Sequence, residues 1–397
     1  MKTLLSFRSP TWVLALSVLA FAGCAPERRP ENAEPVATGG AYQAQYRSPD
    51  PAETQASKAV NAATCRPPAG GATRNARAPG ALRGEALSRG DLLDIRILGD
   101  DTFSHAYEVS QDGTVKLPFI GAVPAAGRSA ASVQDTISGR LVDEGLYQTA
   151  PEISVLVADF GSVRVGVAGA VFEPHAVELG LRGDTLDTRR QEALGSSTEA
   201  RSLSAALRAA GGVRPDADLS AVRVQRGGTT HLVDMRGAID GMGFEDVMLI
   251  AGDQVIVPAR GCFQEDLMVP SPISPPGVSL FLSNLTQPAT GNAPSAISND
   301  ARQVPYGTRY LQAVINANCV GGVLATSASR SAALLSRNPV TGVSVVIERR
   351  IEDMMTRADR DEFDPYLLPG DAIACYDSAV TNIADVARVV GTVLRSP

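Results

Sequence analysis

From about residue 87 onward, apolar and polar positions fall into short blocks with either a two-residue or a helical period. Asp91-Leu-Leu-Asp-Ile-Arg-Ile-Leu98 has the character of a strand. Tyr107 to Ser110, the turn Gln111-Asp112-Gly113-Thr114 and Val115 to Ile120 read together as one hairpin, because glycine accepts the positive φ of an Asp-Gly turn. Val133, Ile137 and Leu141 recur at every fourth position between Ser129 and Leu146. That spacing predicts an amphipathic helix with Ser129 as its cap. Strands are predicted at Glu152 to Val157 and Val163 to Val171, then a short helix from Ser202 closed by Gly211 and Gly212, then strands at 221–225 and 254–257. The same order follows again: a strand near 277–282, a helix near 310–316 and strands at 343–348 and 372–375.

A local echo supports a duplication. Leu249 to Val257 aligns with Leu367 to Cys375, each with a Gly-Asp pair (Gly252-Asp253 and Gly370-Asp371) feeding a strand, and Leu87 to Ile95 has the same shape around Gly90-Asp91. Such a turn needs a permissive backbone at glycine and a short acceptor at aspartate. These aspartates are therefore expected to shape turns and not to act as paired acids. The fold class is α+β, with a small module present twice.

The ends of the chain read differently. Lys2 and Arg8 precede an apolar stretch, Trp12 to Phe21, of the length of a signal-peptide core and too short to span a bilayer. It ends in Phe21-Ala22-Gly23-Cys24, which resembles a bacterial lipobox. That resemblance implies removal of residues 1–23, lipid on the thiol and amino group of Cys24 and, with Ala25 in the next position, residence in the outer membrane. Residues from 25 to about 80 are rich in Pro, Ala, Asn, Gly and Arg without periodicity, as in a tether or irregular arm. In an oxidising compartment the remaining Cys65, Cys262, Cys319 and Cys375 allow three pairings. Cys262 with Cys319, which flank one predicted domain, is favoured, leaving Cys65 with Cys375; free buried thiols are the alternative.

At the other end, Thr381, Asp385, Arg388, Thr392 and Arg395 form one narrow polar stripe on a helix, and apolar residues occupy most of the remaining circumference. Some 17 residues at about 1.5 Å each give roughly 25 Å, near the thickness of a thin bilayer. Charged groups in lipid cost several kcal/mol each, so such helices are expected to assemble with their stripes on a shared aqueous lumen. Ala387 and Gly391 would let neighbours approach closely.

Composition excludes more than it assigns. With 36 basic against 43 acidic residues, a net charge of −7 and no basic block, a general nucleic-acid binder is not expected. Five cysteines and three histidines leave little for a metal site, and none is predicted. No Gly-x-Ser-x-Gly elbow, Cys-x-x-Cys pair, His-Glu-x-x-His or phosphate-binding glycine loop is present, and His105, His175 and His231 are isolated. No catalytic residue and no cofactor are expected. Arg349, Arg350, Arg357 and Arg360 alternate with Glu348, Glu352, Asp353, Asp359 and Asp361 and predict a solvated, mutually neutralising face.

Leu87-Ser-Arg-Gly-Asp-Leu-Leu-Asp-Ile95, then Val109 to Gly121 with its Asp-Gly-Thr-Val-x-Leu-Pro-x-Ile-Gly run, then Pro151 to Val155, resemble the polysaccharide biosynthesis/export family of Wza-type outer-membrane exporters. Val167 to Val171 with Leu203 to Gly212 resembles its soluble-ligand-binding β-grasp module, and residues 260–377 resemble a second, more diverged one. The resemblance implies a signal peptide (1–23), a lipid-anchored arm (24–83), an export domain (84–160), a first β-grasp module (161–259), a second (260–377) and a C-terminal amphipathic transmembrane helix (378–397). It implies a homo-oligomeric ring, an octamer in the family, whose C-terminal helices form a barrel. It also implies export of a capsular or exopolysaccharide from periplasm to surface, and an inner-membrane co-polymerase or tyrosine-kinase partner. A periplasmic glycan-binding lipoprotein without a channel is the alternative.

Overall fold

The computed structural model describes residues 31–34, 36, 41–47, 56–180, 199–284, 302–317, 319–320 and 330–376. After a short helix, α1 (Ser57–Ala63), the first sheet is built from β1 (Leu92–Ile97) between two antiparallel neighbours, β2 (Ala106–Glu108) and β5 (Ile153–Asp159). Between those neighbours in sequence lie a ribbon of β3 (Thr114–Leu117) and β4 (Gly121–Pro124) and a helix, α2 (Ala130–Asp143). The Ser129 side chain accepts from the Ser132 N–H at 3.2 Å, capping α2 as predicted. Val133, Ile137 and Leu141 are all fully buried, so the period-four stripe is the helix's core face.

The predicted single hairpin through Asp112-Gly113 is divided. The turn forms, with Gly113 at φ 80° and its N–H 2.9 Å from the Ser110 carbonyl. The strands on either side of it do not pair: β2 joins β1, while β3 joins β4 across Pro118 and Phe119. Proline has no N–H to extend a ladder, which ends β3 at Leu117. The new ribbon then buries Val115, Leu117 and Val123.

The second sheet contains β6 (Val163–Gly169), β7 (His175–Leu179), β8 (Val222–Arg226), β9 (Thr229–Val233) and β10 (Gln254–Val257), with α3 (Leu203–Ala209) and the one-turn α4 (Gly237–Asp240) in its connections. The third contains β11 (Val278–Asn284), β12 (Arg302–Val304), β13 (Ser331–Arg337), β14 (Ser344–Arg350) and β15 (Ala372–Tyr376), with α5 (Tyr310–Asn316) and α6 (Ile351–Thr356). Their orders, β7-β6-β10-β8-β9 and β12-β11-β15-β13-β14, are one topology position for position. In both, the first and last strands run parallel at the centre and every other pair is antiparallel. The two sheets with their helices are called the first and second units below. Each has its own apolar core, as does the β1–β5 region.

The three Gly-Asp turns have one construction. Gly90, Gly252 and Gly370 all have φ between 85° and 89°. Asp91, Asp253 and Asp371 are buried, and each carboxylate accepts the N–H three residues earlier, from Ser88, Ile250 and Leu368 at 2.6, 3.0 and 2.9 Å. The expectation that these acids make turns holds.

The arm is irregular in backbone but is no tether where it is described. Asn32 exchanges two hydrogen bonds with the backbone of Val346 in β14. Gln43 does the same with Tyr366, and Tyr46 is buried in the second core with its hydroxyl 2.9 Å from Ser336 Oγ. Further along, Ala69 and Asn75 donate backbone N–H groups to Asp218 and Asp234, while Ala78 and Leu82 enter the first unit's core. Short polar side chains and backbone groups do this binding, which is why no hydrophobic period announces it.

The arm's path also decides the disulfides. Cys65 bonds Cys262 and Cys319 bonds Cys375, against the favoured pairing of Cys262 with Cys319 and Cys65 with Cys375. Arg66 donates its N–H to the Arg260 carbonyl, which lays the arm beside the junction of the two units and brings the Cys65 and Cys262 Cα atoms within 4.8 Å. Cys319 follows α5 and Cys375 lies in β15, so the second bond closes the core of the second unit.

Candidate functional site

A concavity with polar walls lies between the two repeated units and has a volume of about 860 Å³. The first unit supplies Phe172, Glu173 and the C-terminal end of α3 at Arg208; the second supplies Ser279, Gln303 and the β13–β14 hairpin from Arg337 to Gly342. Pro275, Pro276 and Gly277 of the connecting segment line the space between them.

The connection is tight. Val213 N–H donates to the Ile273 carbonyl at 2.9 Å. Gly212 has φ 83°, and a Cβ there would lie 2.3 Å from the Pro275 nitrogen, so the linker presses directly on the end of α3. Arg214, held by Asp216 through two 2.8 Å bonds, also reaches the Pro339 carbonyl of the opposite hairpin. The cleft is thus formed in advance of any occupant, which lowers the ordering cost of binding.

Two guanidiniums face this space. Arg208 and Arg337 are exposed, and each uses its Nε on a carbonyl, that of Pro272 at 3.1 Å and of Gly342 at 2.8 Å. Among the described residues neither has a carboxylate within ion-pair distance. Glu173 is the one acid in the lining.

A second electrostatic centre joins the export-like region to the first unit. Asp91 accepts from Arg201 Nη1 at 2.7 Å and from Gly161 N–H at 3.0 Å, with both side chains of the ion pair buried. The Arg201 guanidinium lies 5.3 Å from the centre of the Phe160 ring. Burial raises the Asp91 carboxyl and the nearby guanidinium only partly offsets it. In the first unit Asp253 is clasped by Arg226, the residue across from it on β8, at 2.7 Å. The corresponding position across from Asp371 is Ser336, a hydroxyl in place of a guanidinium. Burial there pushes the Asp371 carboxyl up to about 7. Aligning the strands before the Gly-Asp pairs would have revealed this exchange of Arg226 for Ser336.

The arginine cluster departs from the expected solvated face. Arg357–Asp359 and Arg350–Asp353 are such surface pairs. Arg349 is instead turned inward: Nη2 donates to the carbonyls of Gln45, Tyr46 and Arg47 at 3.4, 3.0 and 2.7 Å, and burial lowers its pKa to about 10. It clamps the arm.

Cys24 and the stripe Thr381, Asp385, Arg388, Thr392 and Arg395 lie outside the described residues. Among the described residues no helix is long and apolar enough to cross a membrane, and no group of three or more His, Cys, Asp or Glu could hold a metal ion. His175 and His231 stand on opposite edge strands, β7 and β9, and His105 precedes β2, so the three are not brought together.

No curated protein matches the chain. Residues 83–158 match the family described as polysaccharide biosynthesis/export protein, and this span holds the β1–β5 sheet, the Asp112-Gly113 turn and α2. Over those residues the chain carries a domain that matches the polysaccharide biosynthesis/export family.

Proposed function

We propose that the protein is an oligomeric, lipid-anchored channel of the outer membrane that passes a capsular or exopolysaccharide from periplasm to cell surface. It performs no catalysis; an inner-membrane co-polymerase or kinase partner drives the polymer. The observation that carries this reading is the export domain at residues 83–158 standing next to two units of one topology. A mixed sheet with its first and last strands parallel at the centre suits the β-grasp modules of such exporters. Two disulfides suit an oxidising compartment.

The placement of the ends supports the same reading. Asn32 is seated on β14 and stands eight residues after Cys24, so lipid on Cys24 would lie within about 30 Å of the second unit even at full extension. The last described strand before residues 378–397, β15, belongs to that unit too. Anchor and C-terminal helix would then reach the membrane from the same unit, while the export domain is joined to the other one.

Cross-linking and sizing of the detergent-extracted protein test the assembly: a ring is expected, and a strict monomer would refute it. Deleting residues 378–397 should abolish export while leaving the remainder folded. Unchanged export would instead favour a glycan-binding lipoprotein without a channel.

A further inference from the structure

We infer that the cleft between the two repeated units binds an anionic substituent of the exported glycan, a carboxylate or a sulfate, through Arg208 and Arg337. The inference rests on the polysaccharide reading above and adds a substrate class to it.

A volume of about 860 Å³ falls within the range of sites that enclose an organic ligand of several rings. The lining offers little to hold a neutral sugar by stacking. Among the described lining residues Phe172 is the one aromatic, and it is half-buried in an edge contact with Tyr306. Charge is what the cleft does offer. Arg208 comes from α3 of the first unit and Arg337 from β13 of the second, so the two cations stand on opposite walls.

In each, the Nε–carbonyl bond fixes the plane of the guanidinium and leaves both terminal amino groups available. A guanidinium held this way presents two parallel N–H donors, the geometry that matches the two oxygens of a carboxylate or sulfate. Gly342 contributes by its small size: a Cβ there would lie 3.3 Å from Arg337 Nη2. The hairpin behind Arg337 is held from the arm, where Glu34 accepts from Asn338 Nδ2 and Thr341 Oγ1, both at 2.7 Å. Glu34 accepts both bonds through Oε1 and is not among the residues that line the cleft.

Among the described lining residues Glu173 is the one acid against two arginines, a net positive charge in a chain of net charge −7. A positive recess on an acidic protein selects anions locally while the rest of the surface repels them. Spaced anionic substituents would engage the two walls in turn.

The test is calorimetric titration of the full-length protein in detergent with a carboxylated oligosaccharide (hexagalacturonate), a sulfated one (a heparin hexasaccharide) and neutral maltohexaose. One or both anionic sugars should bind, more weakly as salt rises, and maltohexaose should not. The preferred anion identifies the substituent. R208Q and R337Q should each weaken binding about tenfold, while R164Q, at an exposed arginine on β6 away from the cleft, should leave it unchanged. Circular dichroism of each variant verifies the fold. Equal binding of neutral and anionic sugars, no binding of either anionic sugar, or no loss in R208Q and R337Q would overturn the inference. Because the titration reads neither oligomer nor transport, its failure is distinct from failure of the channel reading.

Discussion

Asp371 makes a sharp demand on the energetics of the second unit. Its carboxylate is almost wholly inaccessible, lacks the arginine that Asp253 has in the first unit, and titrates near 7 in place of 3.8. A carboxyl raised in the folded state binds its proton more tightly there than in the unfolded chain, so this group's stabilising effect is complete below about pH 4 and is lost as pH climbs toward 7. At 1.36 kcal/mol per pH unit, the loss between pH 5 and pH 8 is about 3 kcal/mol. Burial leaves little room for solvent screening to reduce it. D371N removes the ionisation while keeping an oxygen to accept the Leu368 N–H. Urea unfolding followed by circular dichroism, on wild type and D371N at pH 5 and pH 8, isolates the effect as a difference of differences. Asp364, raised by burial to about 6, has the same sign but is common to both proteins and cancels. The wild type should lose about 3 kcal/mol more than D371N over that interval. Equal pH slopes in the two proteins would refute the assignment of a buried acid raised by desolvation.

Other expectations follow from the same geometry. R201L strands Asp91 in the junction and should destabilise by about 3–5 kcal/mol, whereas D91L/R201L should recover part of that; denaturant midpoints decide it, and a single-variant loss under about 1 kcal/mol contradicts the burial of the pair. Phe119 is 76% exposed and held at φ 61°, so F119N should stabilise by up to about 1 kcal/mol in thermal melts; a marked loss would mean that its edge contact with Phe103 outweighs the backbone strain. C65S/C262S opens a closure spanning 197 residues and should lower stability by about 2–5 kcal/mol, with new protease cleavage between residues 66 and 80; an unchanged digest would show that the arm's polar contacts hold it unaided.

Much of the core architecture could be read from periodicity, because buried faces write themselves into spacing. The stripe of α2, the Ser202 cap of α3, the central strands and the Gly-Asp echo each have one local cause. Strands at the margins left weaker traces. β9 is Thr-Thr-His-Leu-Val and β12 only three residues, and an edge strand needs few apolar positions. β13 is central but reads Ser-Ala-Ala-Leu-Leu-Ser-Arg, a composition that favours helix and is overridden by pairing on both sides. Arg208 and Arg337 lie 129 positions apart in the chain (337 − 208), and nothing local relates them. Only the register of two units against each other makes a recess of them. The arm was the hardest to read, since backbone groups and amides seat it.

That arm has a bearing on how the molecule comes to exist. Its contacts reach from Ala69 to Asp218, 149 positions on, and from Asn32 to Val346, 314 positions on. Synthesis is vectorial, so the earliest-made stretch waits longest for its seat, and long closures of this kind are slow. The protein behaves like a drawstring bag: the cord is threaded first and pulled shut last. A polypeptide cut short before residue 346 lacks the seat on β14 that holds Asn32.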